Sequence, residues 1–201
     1  MVQEQSRSEK TRELIINSAR KVFLEKGYAE TSTRNIADVA GITQPAMYHH
    51  FNDKEAVYLE VVNRVGKDVR EVIGQGVLKP RLQPLNRIDE ITKNLFDIHP
   101  KGVGIFIHES YAHLSPAGQR KLGMLYRMYY LDPLTGYFNL PEVKLRKEVL
   151  PDEAADILIY SLNAMFSSFY RIGGQSISTR DKGKLSLRLI LFGIAEEPDE
   201  Q

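Results

Sequence analysis

The chain has 201 residues, 42% apolar and 26% charged, with a formal net charge of +1 and no cysteine. That length and composition suit one or two small globular domains with a real core. They exclude a disulfide framework, a thiolate zinc site and a cysteine nucleophile; the polar start MVQEQSRSEKTRE is no signal peptide, no apolar run is long enough to span a membrane, and the expected compartment is the cytoplasm.

Residues 1–7 read as disordered. Ser8 or Thr11 opens a first helix to about Lys26, with Leu14, Ile15, Ala19, Val22 and Phe23 on one stripe and Gly27 as its stop. Two short helices around a tight turn come next, between Thr31 and Lys54. The first spans about Thr33–Ala40, with Ile36, Ala37, Val39 and Ala40 apolar. Gly41 supplies the permissive backbone that ends it, and Ile42 plugs the angle between the pair. Thr43 caps the second helix, Pro45 sits in its first turn, and Met47, Tyr48 and Phe51 continue as apolar anchors. This is the layout of a helix-turn-helix, whose second helix enters the DNA major groove.

Charge alone does not announce such a partner. Residues 1–55 carry eight basic residues (Arg7, Lys10, Arg12, Arg20, Lys21, Lys26, Arg34, Lys54) and eight acidic ones (Glu4, Glu9, Glu13, Glu25, Glu30, Asp38, Asp53, Glu55). DNA affinity then rests on local placement of Arg7, Lys10, Arg12, Arg34 and Lys54, and one copy is expected to bind modestly.

Asn52 or Asp53 caps a long fourth helix from about Lys54 to Ile73, where Gly66 permits either a bend or close packing. Gly74, Gly76, Pro80 and Pro84 break the pattern, and a domain boundary is expected near them. Helices are then expected over about Leu85–His99, Val103–Leu114 and Ala117–Leu131, with Asp132-Pro133 and Gly136 disturbing the stretch beyond. Pro141–Leu150 reads as either a short helix or an exposed loop. A strong helix spans about Asp152–Ile172, and Ser178 or Thr179 opens a last one to about Ala195. No stretch alternates as a strand would.

Helix 152–172 has one face of Ala154, Ile157, Ser161, Ala164 and Ser168, whose small residues let helices approach closely. The last helix is apolar almost all round, including Leu187, Leu191 and Ile194. A helix apolar on every side must be buried on every side, which favours a dimer interface built from these two helices over a monomer core. Candidates for a ligand pocket are Phe96, Phe106, His108, Tyr111, Met124, Tyr126, Met128, Tyr129, Tyr130, Met165, Phe166, Phe169 and Tyr170, aromatic and methionine walls with a few hydroxyls. For any single one of them, core packing is the simpler role. His108 and His113 are five apart and diverge by about 140° on a helix, so no metal site is expected; no cofactor is expected either. No nucleophile–base pair, phosphate loop or HExxH motif points to an enzyme.

Residues 27–59 resemble the DNA-binding domain of the TetR (tetracycline repressor) family of bacterial transcription regulators. The resemblance is carried by Gly27, Tyr28, Thr31, Ser32, Ile36, Ala37, Ala40-Gly41-Ile42-Thr43, Tyr48, His50-Phe51, Lys54-Glu55 and Leu59. Tyr28, Ile42 and Thr43 stand where the family usually has Phe, Val and Ser. The rest of the chain matches only in being helical and of suitable length.

The resemblance implies an all-α protein of about nine helices: an N-terminal three-helix reading domain (1–53) and a C-terminal helical domain for ligand and dimerisation (54–201). It implies a homodimer on double-stranded DNA, released by a small-molecule effector and without a membrane role. By position, Thr43, Gln44, Pro45, Ala46, Tyr48, His49 and His50 lie at the groove or its walls, Thr33 and Arg34 at the start of helix two, and Lys54 against a phosphate. Gln44 pairs with adenine and Ala46 touches a thymine methyl. Tyr48 packs its ring inward and offers its hydroxyl to the backbone, while His50 serves either backbone contact or packing. The competing reading is a constitutive helix-turn-helix module, for DNA or for a protein, with no small ligand.

Overall fold

The structure, a computed structural model of the chain, describes residues 2–79, 83–163 and 187–193. The described residues form α-helices and π turns, and their only strand-like feature is a single bridge residue at Leu145. They group into two compact units, 1–68 with 99–126, and 69–98 with the chain from 127 onward.

In the first unit, α1 (Val2–Lys26) begins well before Ser8. The expected disorder over 1–7 gives way to helix because the polar start holds neither Gly nor Pro and is rich in helix-forming Gln, Glu and Arg. Its buried stripe is Ile15, Ile16, Ala19, Val22 and Phe23, and Leu14 is 45% exposed. The stripe is centred one step further round than expected, so Ile16 takes the place given to Leu14. Gly27, at φ 78°, closes the helix, and Thr31 Oγ1 donates to its carbonyl at 2.6 Å.

α2 (Thr33–Ala40) starts at Ser32, whose hydroxyl accepts from the Asn35 amide while the Asn35 side chain reciprocates. It ends at Gly41, left-handed at φ 66°. α3 (Gln44–Tyr48) is capped by Thr43 with Pro45 in its first turn, and Met47 is fully buried beneath it. Asp53, of the two possible caps, accepts from the Ala56 amide at 2.7 Å and opens α4 (Lys54–Val77). Along α4 the side chains of Arg12, Glu13 and Arg20 of α1 meet Glu60, Arg64 and Asp68.

Residues 99–126 complete this unit. Gly104–His108 form a π turn that runs into the short α6 (Glu109–Tyr111), where one continuous helix was expected, and α7 (Pro116–Tyr126) comes after it. The turn packs on α1 and α4 through an aromatic cluster. The Tyr58 ring lies 5.2 Å from Phe23, 4.8 Å from Tyr28 and 5.8 Å from Phe106. Its buried hydroxyl bonds Ser110 Oγ at 2.7 Å and donates to the Phe106 carbonyl.

In the second unit, α4 runs on through Gly74 and Gly76, both expected to break it. A Cβ at Gly76 would overlap Ile91, so this glycine lets α5 (Pro84–Ile98) approach closely. A second π turn, Arg127–Leu131, leads into α8 (Asp132–Phe138). Pro133 does not break the chain here, because it occupies the first turn of α8, where no amide donor is needed. Residues 139–150 are turns and extended chain, the loop rather than the short helix. α9 (Pro151–Asn163) packs on α8, Arg87 pairs with Glu142 at 2.7 Å, and the Tyr137 hydroxyl donates to the Pro84 carbonyl.

Candidate nucleic-acid interface

The face built by α2 and α3 is set by their caps, and three polar side chains converge on it. Gln44 Nε2 donates to Thr33 Oγ1 at 2.7 Å, and Thr33 Oγ1 lies 3.2 Å from the Tyr48 hydroxyl. Gln44 and Thr33 are half-buried, and Tyr48 is 45% exposed. Arg34, Thr43, Pro45 and His49 are exposed around them, and Ala46 and His50 are half-buried. Two of the anchors assigned from sequence, Met47 and Phe51, are buried behind this surface, and Ile42 is half-buried between the helices. The surface offers an amide, a phenol, a guanidinium, an imidazole and a methyl on adjoining turns, the groups with which proteins contact base edges and phosphates.

Lys54 is turned partly inward. Its ammonium donates to the carbonyls of Tyr28 at 2.9 Å and Thr31 at 3.0 Å and sits 4.0 Å from the centre of the Tyr28 ring. Burial lowers its pKa, and burial together with Glu55 and Asp53 raises that of the Tyr28 phenol. Two of the three ammonium protons therefore tie down the turn between α1 and α2, which leaves one for a phosphate.

Comparison with known proteins fits this geometry. Residues 15–61 match the family of bacterial regulatory proteins called the tetR family. The repressor BepR of Brucella suis is 32% identical over 80 residues, which cover 40% of this chain and 38% of that protein. A TetR/AcrR-family regulator from Thermobifida fusca superposes with a TM-score of 0.60 at 26% identity, over 90% of this chain and 97% of its own. The likeness to the tetR family thus lies in residues 15–61, the helix-turn-helix and its flanks. The chain's alignment spans well under two thirds of the Brucella repressor's length. AibR, solved with isovaleryl coenzyme A and operator DNA, shares the fold, with a TM-score of 0.63 at 16% identity over 89% of this chain and 97% of its own.

The other sequence-assigned residues differ in burial. Phe106 is buried in the aromatic cluster beside Tyr58, Tyr129 is buried, and Phe96 is half-buried. His108 is half-buried with its ring edge-on to Tyr126 at 5.2 Å. Tyr111, Met124 and Met128 are exposed, and Met165, Phe166 and Phe169 lie outside the described residues. Of the residues assigned to a dimer contact, Ile157 is exposed and Ser161 half-buried, while Leu187 and Leu191 are buried within the chain itself. Ala164, Ser168 and Ile194 lie outside the described residues. Beside Ile157, at 45% exposure, Tyr160 is 65% exposed, and Leu189 is 68% exposed. Tyr160 was legible, since it falls three residues after Ile157 on the same helical face.

Glu55 was missed as an interaction site. Its carboxylate accepts from the Ser115 amide at 2.7 Å and from the Ser115 hydroxyl at 2.6 Å, and a Cβ on Gly118 would collide with it. Ser115 Oγ in turn accepts from the Gly118 amide at 3.0 Å. Glu55 thereby holds the N-terminal end of α7 against the start of α4. Its sequence signals, a place in the Lys54-Glu55 pair and an acidic group in the first turn of α4, carry no hint of Ser115. Among the described residues no helix is long and apolar enough to cross a membrane, and no three His, Asp or Glu side chains gather as metal ligands would.

Proposed function

We propose that the chain is a transcriptional regulator that binds a palindromic operator as a homodimer, acts as a repressor, and lets go of DNA when a small, partly hydrophobic effector binds. The observation that carries this reading is the α2–α3 face, where Gln44, Thr33 and Tyr48 are already arranged on a rigid, doubly capped helix-turn-helix. The kinship with repressors such as BepR supports repression. The AibR complex, with an acyl-coenzyme A and operator DNA on the same fold, supports effector control. The division of labour is reading by 1–53, ligand and dimer contacts by 54–201. The dimer contact is supported by the apolar groups that the described residues leave outward, Ile157, Tyr160 and Leu189.

Release takes a mechanical route. Segment 99–126 grips α4 at two points, Ser115 on Glu55 and Ser110 with the Phe106 carbonyl on Tyr58. An effector that moves this segment pulls on the first turns of α4, and through Lys54 on the turn that carries α2. The test is selection of bound duplexes from a random pool, with the mass of the free protein measured by light scattering. A palindrome with half-sites about one to one-and-a-half helical turns apart supports the reading. No enriched sequence, or a mass near 22.9 kDa at micromolar concentration, counts against it.

A further inference from the structure

We infer that the Thr33 hydroxyl is a specificity-determining positioning group: it fixes which way the Gln44 amide faces and so commits it to adenine over guanine. The inference rests on the DNA-binding function proposed for this face. A glutamine amide has two N–H donors on its nitrogen and an acceptor oxygen. With both donors free it can serve guanine, whose major-groove edge offers two acceptors, N7 and O6. With one donor and the oxygen it serves adenine, whose edge offers the N7 acceptor and the N6 donor.

In this structure Gln44 Nε2 is held on Thr33 Oγ1 at 2.7 Å. One donor is spent inside the protein, and what remains is one N–H beside a bare carbonyl oxygen, the adenine pattern. Thr33 Oγ1 also lies 3.2 Å from the Tyr48 hydroxyl, and either oxygen can donate across that gap. A reversed amide, with Thr33 donating to the Gln44 oxygen, would free both N–H groups for guanine. The direction of one hydrogen bond thus sets the base that is read. Thr33 touches no base in this scheme; it acts through Gln44.

The experiment compares wild type, Thr33→Val, Thr33→Ser and Gln44→Ala by selection from a random-sequence duplex pool, with circular dichroism of each. The Gln44→Ala profile marks the position that Gln44 reads. There the wild type is expected to enrich adenine. Thr33→Val, which keeps the branched shape and loses the hydroxyl, should lower the adenine-to-guanine ratio about fivefold or more, the low end of one good bidentate contact. Thr33→Ser should restore it. An unchanged ratio in Thr33→Val, or guanine enriched by the wild type, overturns the inference while leaving DNA binding intact. A wild type that enriches nothing removes the regulator reading and this inference with it. If Thr33→Val does not fold, the free wild-type protein still decides: amide proton exchange should show one Gln44 side-chain proton protected and the other not, and equal exchange of both overturns the inference.

Discussion

Replacing Lys54 with methionine separates two roles that its position in the motif would merge. A lysine that only meets a phosphate could be lost without cost to the fold. Here the ammonium instead bonds the Tyr28 and Thr31 carbonyls at 2.9 and 3.0 Å over the Tyr28 ring. Hydrogen bonds to charged groups contribute about 1.5–3 kcal/mol each when buried. Lys54 is half-buried and its lowered pKa records the desolvation it already bears, and water can reach carbonyls left bare. The net loss is therefore about 1–2 kcal/mol for the pair, with methionine keeping the stem packing. In urea this moves the unfolding midpoint down by about 0.5–1 M for a typical slope. Operator affinity should fall as well, because the α1–α2 turn loosens. This double role is refuted if Lys54→Met unfolds at the wild-type midpoint and merely reduces the salt slope of DNA binding by about 0.9, the signature of one lost phosphate contact.

Three further outcomes are expected. Tyr58→Phe removes the hydroxyl that donates to the buried Phe106 carbonyl, while Ser110 keeps its bond to the Ile107 carbonyl, and should lower stability by about 1–3 kcal/mol in urea unfolding. Gly118→Ala drives a methyl group into the Glu55 carboxylate, so it should free the N-terminus of α7, cost about 1 kcal/mol and change operator affinity although it lies far from the reading face in sequence; wild-type affinity would contradict the coupling route. His99 is held at a pKa of about 3, first by burial and then by the Arg20 charge. Its folded pKa lies below its unfolded value of about 6.5, so its neutral form contributes fully above that pH and its contribution is lost as pH falls toward 3. The difference in stability between wild type and His99→Leu should therefore shift by up to ~1.4 kcal/mol per pH unit across that window, and a difference independent of pH would refute it.

The helix-turn-helix was legible because its signals are local. Gly41, Thr43 and Pro45 fix the turn within a few residues, and Ile36, Ala37, Ala40, Met47 and Phe51 repeat at helical spacing. What failed locally was decided by packing. Gly74 and Gly76 read as breakers, yet the helix continues through both, and at Gly76 the glycine leaves the space that Ile91 occupies. The swap of Leu14 for Ile16 is a small rotation that spacing alone does not resolve. The partners of Lys54 lie 23 and 26 residues away and that of Glu55 lies 60 away, distances over which a sequence carries no geometric signal. The thirteen pocket candidates were chosen by residue type alone, and type does not distinguish a cluster filler such as Phe106 from an exposed side chain such as Met124.

The ion pairs along α1 and α4 have a consequence for how the head meets DNA. Arg12 is shared between Glu60 and the Phe51 ring, Arg20 lies on Asp68, and Arg64 on Glu13. Cations that already have carboxylate partners hold few exchangeable anions or solvent ions of their own and give up little when they approach a phosphate chain. Little entropy is then gained by counterion release, and little attraction extends beyond a Debye length of about 8 Å. The grip of such a head comes mostly from the fit of short hydrogen bonds. Fit of that kind is lost over displacements too small to weaken a long-range field, so under the proposed release route a modest movement of α4 would be enough.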